Sequence, residues 1–444
     1  MSNEKSLGFW SVVAIGIGGM VGGGIFAVLG LAVELSHGGT PVAFLIAGLV
    51  ALITSYSYVK LSVKYPSQGG TVEFLNQSFG PGLTTGTLNI LLFLSYIIML
   101  SLYAYAFGSY GASFFPSEIQ PLWRHIFTSI IIIVLTGLNI LGARTVGRFE
   151  EAIVAFKISI LLLFVSVGIL SVNTQNLQPS TWSNTLSLIA GGIIIFVAYE
   201  GFELIANTAE DVKNPEKTLP RAYYFSVILV IILYILVALV TVGNLPLDQI
   251  TAAKDYALAA AAKPFLGMTG FILIAVAALF STGSAINATL YGTSRVSYII
   301  AKEGELPEQL EKKIWNKPLE GLLITSLITL IVANLFDVSQ IATMGSAGFL
   351  IIFAAVNASN INLHKSTDSS KYVSFTGLVV CIAALIALIL QTLFKSPLDI
   401  WILIILLLSS FSIEFIYQKI TGRKIQQIYD KAKKIFNDLN NAKL

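Results

Sequence analysis

Apolar residues occur along this chain in long runs that short polar or charged segments interrupt. A helix needs about 20 apolar residues to cross the hydrocarbon core of a bilayer. Twelve runs come close to this length, and each predicts one transmembrane helix, numbered here as spans one to twelve. Spans nine and ten are the least clearly separated, because only Asp337 interrupts them. The runs cover residues 8–34, 41–63, 84–113, 122–141, 149–171, 186–209, 220–243, 268–299, 320–336, 338–359, 375–394 and 397–418.

The composition excludes a soluble globular protein. Hydrophobic residues make up 55% of the 444 residues and charged residues only 11%, whereas soluble domains carry about 25% charged residues. The single cysteine excludes a disulfide framework, and the first run is too long for a cleavable signal peptide. We expect one transmembrane domain at 1–419, with core helices at about 8–359 and peripheral helices at about 375–418. An amphipathic tail is predicted at 420–444.

The positions of the basic residues predict the orientation. If the amino terminus is cytoplasmic and each run crosses once, 22 of the 27 Lys and Arg residues are cytoplasmic, four are external and one, Lys157, lies within a span. This asymmetry follows the positive-inside rule. It predicts a multi-pass cell-membrane protein with both termini in the cytoplasm. The lysine-rich tail is expected to rest on the anionic inner leaflet.

Span one contains a glycine triplet, Gly22–Gly24, in the middle of its apolar run. Each interior glycine destabilises a helix by up to about 1 kcal/mol relative to alanine, so the triplet favours local unwinding. The freed amides and the positive end of the restarting helix would suit a carboxylate. The alternative is close packing of helices through small residues.

Span six has a glycine between two carboxylates, in the order Glu200, Gly201, Phe202, Glu203. An ionised carboxylate facing lipid costs several kcal/mol, so both side chains should face protein or water. One interpretation of Glu203 is that it caps the second half of a broken helix. Spans one and six are corresponding members of two five-span halves, and matched interruptions in such halves indicate a binding site near the bilayer midplane.

Lys157 is a cation within span five. Inserting it costs about 2.5–3.5 kcal/mol, and it lies roughly 13–14 Å of helix from Arg148, so its side chain reaches the interface incompletely. Burial favours the neutral amine, which would suit a proton-binding site. The alternative is a structural lysine that donates to carbonyl groups of a broken neighbouring helix.

Several motifs in a fixed order carry a family resemblance. The motifs are Gly22-Gly23-Gly24-Ile25-Phe26, Tyr65-Pro66 with Gly69-Gly70, Gly201-Phe202-Glu203, Ala209-Glu210-Asp211, Asn214-Pro215, Leu219-Pro220-Arg221, and Arg295 with Ala301 and Gly304-Glu305-Leu306-Pro307. With them the chain resembles the amino acid–polyamine–organocation transporter superfamily from Leu7 to about Arg423, and looks like its archaeal proton-coupled, broad-specificity amino-acid transporter.

The resemblance implies an all-α membrane protein of LeuT-type fold, with a 5+5 inverted repeat, twelve transmembrane helices and helices 1 and 6 discontinuous. It implies a substrate carboxylate on the amides of Gly23 and Gly24. The substrate ammonium would meet carbonyl groups of Met20, Val197, Ala198 and Glu200, with Gly22, Phe196 and Gly201 also in the site. In sodium-driven relatives a cation lies between spans one and eight. In the proton-coupled archaeal relative, a lysine of span five occupies the place of this cation. Lys157 matches that lysine, with Gly18, Val21 and Ser281 as expected neighbours.

Two positions depart from the family pattern. Relatives often have an aromatic gate residue where this chain has Val197, preceded by Phe196. Glu200 replaces an apolar residue of some relatives. A Glu200 side chain that faces the pocket would suit cationic substrates, and one that faces away would leave the pocket nearly neutral.

The expected function is therefore proton-coupled symport of small neutral amino acids with broad specificity. The alternatives are an amino-acid or polyamine exchanger, a cationic amino-acid carrier, and a receptor that shares the fold. Zinc, serine–histidine and phosphate-loop patterns of an enzyme are not evident in the sequence. We expect no cofactor or metal beyond the proton as coupling ion, no nucleic-acid partner, and no requirement for an oligomer.

Overall fold

The computed structural model describes residues 6–141, 146–302 and 319–421, and within these ranges the regular elements are helices. The motif Gly304–Pro307 and the predicted tail from residue 422 onward lie outside the described residues. The membrane-length helices after span one and before span nine are Thr40–Lys64, Leu83–Ala112, Gln120–Leu141, Val146–Gly168, Pro215–Asn244 and Ala257–Lys302, together with the composite span six. The later helices are Leu319–Leu335, Val338–Asn362, Lys371–Lys395 and Ile400–Thr421.

The helices confirm an all-α membrane protein. Ten helices of the described ranges are long and apolar enough to cross a bilayer, and the count is eleven if the bent pair of span one is a single crossing. The predicted ninth span is a shorter apolar helix, Leu319–Leu335. The total of twelve crossings remains a prediction.

Span one is broken at its glycine triplet, as the sequence predicts. Its first half is the helix Phe9–Met20 and its second half is the helix Gly24–Ser36, with a bend of 43° between them. Gly23 at the restart has φ −144° and ψ −19°, which is not helical. The break therefore releases backbone groups at the two helix ends from helical hydrogen bonding.

Span six is also discontinuous. An α-helix, Thr185–Ile194, passes into the tighter 3-10 segment Ile195–Tyr199, and a second 3-10 segment runs over Phe202–Asp211. Between them Gly201 has φ +118°, a left-handed conformation that residues with a Cβ atom rarely adopt. The predicted break is confirmed, and the 3-10 geometry on both sides of it goes beyond the prediction.

Asp337 is the boundary between spans nine and ten. Its side chain accepts a hydrogen bond from Gln340 N at 2.9 Å, and the Gln340 side chain accepts one from Asp337 N at 3.2 Å. This capping box satisfies two backbone donors at the start of Val338–Asn362. The helix of span eight begins at Ala257, earlier than the apolar run suggests, and is interrupted at Gly267 with φ +63°.

Candidate functional site

The two breaks lie directly against each other. A Cβ atom placed on Gly201 would lie 2.4 Å from Gly19 C and 2.5 Å from Met20 N. A Cβ atom on Gly24 would lie 2.6 Å from Ala198 Cα. Glycine at these places lets the two backbones approach more closely than any side chain would allow. The broken ends of spans one and six therefore meet at one site in the protein interior.

Gly23 faces an aromatic ring of span three. A Cβ atom on Gly23 would lie 2.2 Å from Cδ1 of Tyr103, so only glycine fits beside this ring. The Tyr103 hydroxyl donates to Oε2 of Glu200 at 3.2 Å. Tyr103 thus connects the unwound part of span one with the break in span six. The family motifs gave no indication of Tyr103.

Tyr234 of span seven joins the two breaks by hydrogen bonds. Its hydroxyl lies 2.7 Å from Met20 O and 3.2 Å from Ala198 O, two of the carbonyl groups expected to receive an ammonium group. A buried tyrosine hydroxyl usually has a partner, which is the one sequence signal that could have identified this residue. Each carbonyl oxygen has a second lone pair for a further donor.

The first half of span six is held by span ten. Val197 N donates to Ser346 Oγ at 3.1 Å, and Ser346 Oγ donates to Ile194 O at 2.7 Å. A Cβ atom on Gly345 would lie 2.8 Å from the Val197 side chain. The structure therefore places Val197 against span ten, together with Phe196, whose ring meets that of Phe353 edge-on at 5.8 Å.

Span eight contacts the carbonyl groups that the break in span one frees. Ser281 Oγ lies 2.8 Å from Val21 O and 2.6 Å from Gly22 O. Lys157 is 1% exposed, and its Nζ donates to Gly18 O at 2.9 Å. This contact is common to both interpretations of Lys157, as a proton-binding group and as a structural donor to a broken helix.

Two carboxyl groups occupy the break in span six. Glu203 is fully buried, and its Oε2 accepts the Gly201 N–H at 2.7 Å, as the capping interpretation expects. Its Oε1 lies 3.4 Å from the Tyr96 hydroxyl. Glu200 is 3% exposed, so both carboxyl groups face protein and neither faces lipid.

The start of span one is fixed to the end of span six. Leu7 N donates to Asp211 O at 3.1 Å, and Lys213 N donates to Leu7 O at 2.9 Å. These backbone hydrogen bonds and the glycine contacts at the breaks join the first half of span one to the second half of span six.

The second half of span one packs on the connection before span eight. A Cβ atom on Gly30 would lie 2.0 Å from Lys254 O, and Lys254 Nζ pairs with Glu34 at 3.0 Å. A cavity of about 250 Å³ lies beside this contact. Its lining residues are Tyr105, Gln120, Ala252, Lys254, Asp255, Tyr256, Asp337 and Val338.

The site offers the chemistry that a zwitterion requires. Helix N-termini and free amides attract carboxylates, and carbonyl groups accept hydrogen bonds from an ammonium group. Within the described ranges, no group of three or more His, Cys, Asp or Glu side chains could hold a metal ion. Polar contacts in the site come mainly from the backbone and from tyrosine and serine hydroxyls.

Comparison with known proteins gives the family. The family model described as "Amino acid permease" matches residues 7–413. The chain is 36% identical to an uncharacterized protein of Methanocaldococcus jannaschii, over 95% of this chain and 97% of that protein. It is 33% identical to the inner membrane transport protein YbaT of Escherichia coli, over 92% and 95% of the two chains.

A third relative has a named substrate class. The branched-chain amino acid permease BcaP of Bacillus subtilis is 24% identical to this chain over 82% of each. The range matched by the family model, residues 7–413, contains both interrupted spans and the position of Lys157. The two broken spans, the site between them and the match over nearly the whole length agree, and the chain belongs to the amino acid permease family.

Proposed function

We propose that the protein is a proton-coupled symporter that takes up small neutral amino acids with broad specificity. The observation that carries this proposal is the buried Lys157 with its Nζ on Gly18 O, at the end of span one's first half. Protonation of this amine adds a charge next to the break where substrate would bind. Proton binding and substrate binding would therefore affect the same few residues of span one.

The substrate carboxylate is assigned to the amides of Gly23 and Gly24, at the restart of span one. The ammonium group is assigned to the carbonyl groups of Met20, Val197, Ala198 and Glu200. Support comes from the position of these groups at two adjoining helix breaks, where Tyr234 bonds both Met20 O and Ala198 O. These backbone groups contact the carboxylate and ammonium groups of the substrate and not its side chain, so the specificity should be broad.

The proposed transport cycle uses this arrangement. Protonated Lys157 stabilises the outward-open state, and substrate then completes the contacts between the two breaks. Spans one and six move together, because backbone bonds of Leu7 and glycine contacts join them. In the inward-open state Lys157 loses its proton and the substrate leaves. The protein is assigned to the cell membrane with both termini in the cytoplasm, acting without a cofactor.

The test is uptake of radiolabelled alanine into proteoliposomes under an inward proton gradient. Lys157→Met removes the titratable amine and keeps most of the apolar stem. Wild-type protein should accumulate alanine, and the variant should lose gradient-driven accumulation. Lys395→Met is the matched control, since Lys395 is an exposed residue at the end of a peripheral helix, and it should leave accumulation unchanged.

Exchange is the competing transport mode. Counterflow of labelled against unlabelled alanine, measured without a gradient, should survive in Lys157→Met if the lysine only couples protons. Normal gradient-driven accumulation by Lys157→Met would reject the coupling role. Counterflow by wild-type protein without any gradient-driven accumulation would identify an exchanger instead.

A further inference from the structure

His125 of span four belongs to a hydrogen-bonded chain that the proposed transport cycle does not use. Its Nδ1 lies 2.8 Å from Oδ1 of Asn334 in span nine, and its Nε2 lies 3.1 Å from a guanidinium nitrogen of Arg124. The Arg124 guanidinium also donates to the Tyr105 hydroxyl of span three, which donates to Asp255 Oδ2 at 3.1 Å. The chain therefore joins spans three, four and nine to the segment before span eight.

The partners of His125 fix its protonation. A guanidinium group has donors and no acceptor, so the Nε2 atom that faces Arg124 carries a lone pair. The amide nitrogen of Asn334 donates to Leu330 O at 2.8 Å and lies 3.3 Å from Ser129 Oγ. The Oδ1 atom of this amide therefore faces the ring, and ring Nδ1 is the donor. The imidazole is neutral, with its hydrogen on Nδ1.

A second proton on the ring would end this arrangement. It would place an N–H of a charged imidazole against the N–H groups of Arg124, with no acceptor between them. The guanidinium nitrogens belong to one rigid planar group, so a rotation that withdraws one from His125 also withdraws the other from Tyr105. The backbone of Arg124 is packed against span three, where a Cβ atom on Gly108 would lie 2.6 Å from Arg124 O. The side chain therefore moves, and the hydrogen-bonded chain breaks.

One charged group contacts the imidazole directly. Spans three, eight and nine pack against span four. In the part of the chain that the structure describes, Arg124 is the charged residue with a hydrogen bond to His125. The titratable and charged side chains at this end of the packed elements are Tyr105, Tyr110, Glu118, Arg124, Lys254, Asp255, Tyr256, Lys263 and Asp337.

The far end of the hydrogen-bonded chain, Asp255, reaches the second half of span one. Its neighbour Lys254 pairs with Glu34 at 3.0 Å, and Lys254 O would lie 2.0 Å from a Cβ atom on Gly30. The segment that contains Lys254 and Asp255 therefore rests on span one and is held there by the hydrogen-bonded chain. In the proposed orientation this end of the protein is external.

We propose that His125 is a second proton-binding site of the transporter, distinct from Lys157, and that its protonation opens the outer face of span one. The proposal rests on the transport function proposed above. Neutral imidazole holds Arg124 on Tyr105 and keeps the outer face closed, whereas protonated imidazole releases the guanidinium. Imidazole ordinarily titrates between about pH 5 and 8. Acidic external solution should therefore favour the outward-open state, which accepts substrate.

The accessibility of the second half of span one measures this opening. Ala32 is fully buried there, so Ala32→Cys should react with an external, membrane-impermeant maleimide only when the outer face opens. A Cys381→Ser background removes the single native thiol. Rates in proteoliposomes, at equal pH on both sides, are divided by the rate for denatured protein at that pH, because the thiolate is the reactive form. The corrected rate should rise about tenfold from pH 8 to pH 5, as expected for loss of one hydrogen bond to a charged group.

Three variants test the role of the imidazole. His125→Gln imitates the neutral ring, because its carbonyl oxygen can accept from Arg124 and its amide can donate to Asn334, so its corrected rate should stay low at every pH. Arg124→Gln removes the guanidinium and should give a high rate at every pH. His364→Gln is the matched control, since His364 is also partly exposed and follows span ten, and it should keep the wild-type pH dependence.

Nitrogen NMR of histidine-labelled wild-type protein gives a second readout that needs no variant. The chain has three histidines, so the spectrum contains few imidazole signals. One of them should be a neutral Nδ1–H tautomer at pH 8 and should become fully protonated at pH 5. Folded His125→Gln, checked by size exclusion, should lack that signal.

The outcomes separate this inference from the proposed function. The second site is wrong if folded His125→Gln keeps the wild-type pH dependence of labelling, or if no Nδ1–H imidazole is present at pH 8. Labelling is repeated in Lys157→Met. A pH dependence that persists there and disappears in His125→Gln supports the second site, and one that disappears in Lys157→Met rejects it. Labelling needs no proton gradient, so a failure of gradient-driven uptake rejects only the symport proposal.

Discussion

Gly201→Ala should damage both stability and transport, because Gly201 meets two separate restrictions. Its φ of +118° lies in the left-handed region, and an added Cβ atom would collide with backbone atoms of span one. The three nearest atoms are Gly19 C at 2.4 Å, Met20 N at 2.5 Å and Gly19 Cα at 2.8 Å. Backbone atoms cannot turn away as a flexible side chain can, so the two breaks must separate.

The size of the effect follows from the two contributions. A non-glycine residue in such a backbone conformation costs about 1–3 kcal/mol, and overpacking a closely fitted site costs about a further 1–3 kcal/mol. The total of about 2–6 kcal/mol corresponds to a loss of roughly 30-fold or more in the population of the joined state. Alanine counterflow should fall at least that much.

The assay compares three purified variants by melting temperature in detergent and by counterflow in proteoliposomes. Gly80→Ala is the matched control, because Gly80 has φ +70° and an added Cβ atom would meet nothing within 4 Å. Gly80→Ala therefore measures the energetic cost of the backbone conformation without a steric clash. Gly283→Ala has neither restriction, since the nearest atom to its added Cβ is 3.8 Å away, and should behave like the wild type.

The expected order of melting temperatures is Gly283→Ala above Gly80→Ala above Gly201→Ala, with counterflow lost only in the last. If Gly201→Ala were as stable and as active as Gly80→Ala, the whole effect would come from backbone conformation. The close contact between the two breaks would then be wrong.

Two further substitutions test the hydroxyls that hold the freed carbonyl groups. Tyr234→Phe removes the hydroxyl that contacts Met20 O and Ala198 O. It should lower the free energy of unfolding by about 1–3 kcal/mol and raise the KM for alanine. An unchanged melting temperature and KM would contradict the role of this hydroxyl in joining the two breaks. Ser281→Ala removes the hydroxyl near Val21 O and Gly22 O and should cost a similar amount. Its alanine KM should rise less than that of Tyr234→Phe, and a larger rise would place Ser281 closer to the substrate than proposed.

The sequence determined those features that depend on the solvent and on local backbone preference. Apolar runs of this length form helices in lipid, because a helix satisfies every backbone polar group within its own segment. The breaks at Gly22–Gly24 and at Gly201 followed from glycine content, and the boundary at Asp337 from a charge that interrupts two apolar runs. Lys157 was identified because a cation is rare and expensive inside a span.

Only the tertiary structure decided what each of these groups contacts. Tyr103 and Tyr234 are distant in sequence from the breaks they bridge, and each looks like an ordinary residue of an apolar helix. The direct contact between Gly19 and Gly201 depends on how two whole spans pack, which no local pattern encodes. The hydrogen bond from Gly201 N–H to the Glu203 side chain depends on the departure from helical geometry at Gly201, where φ is +118°.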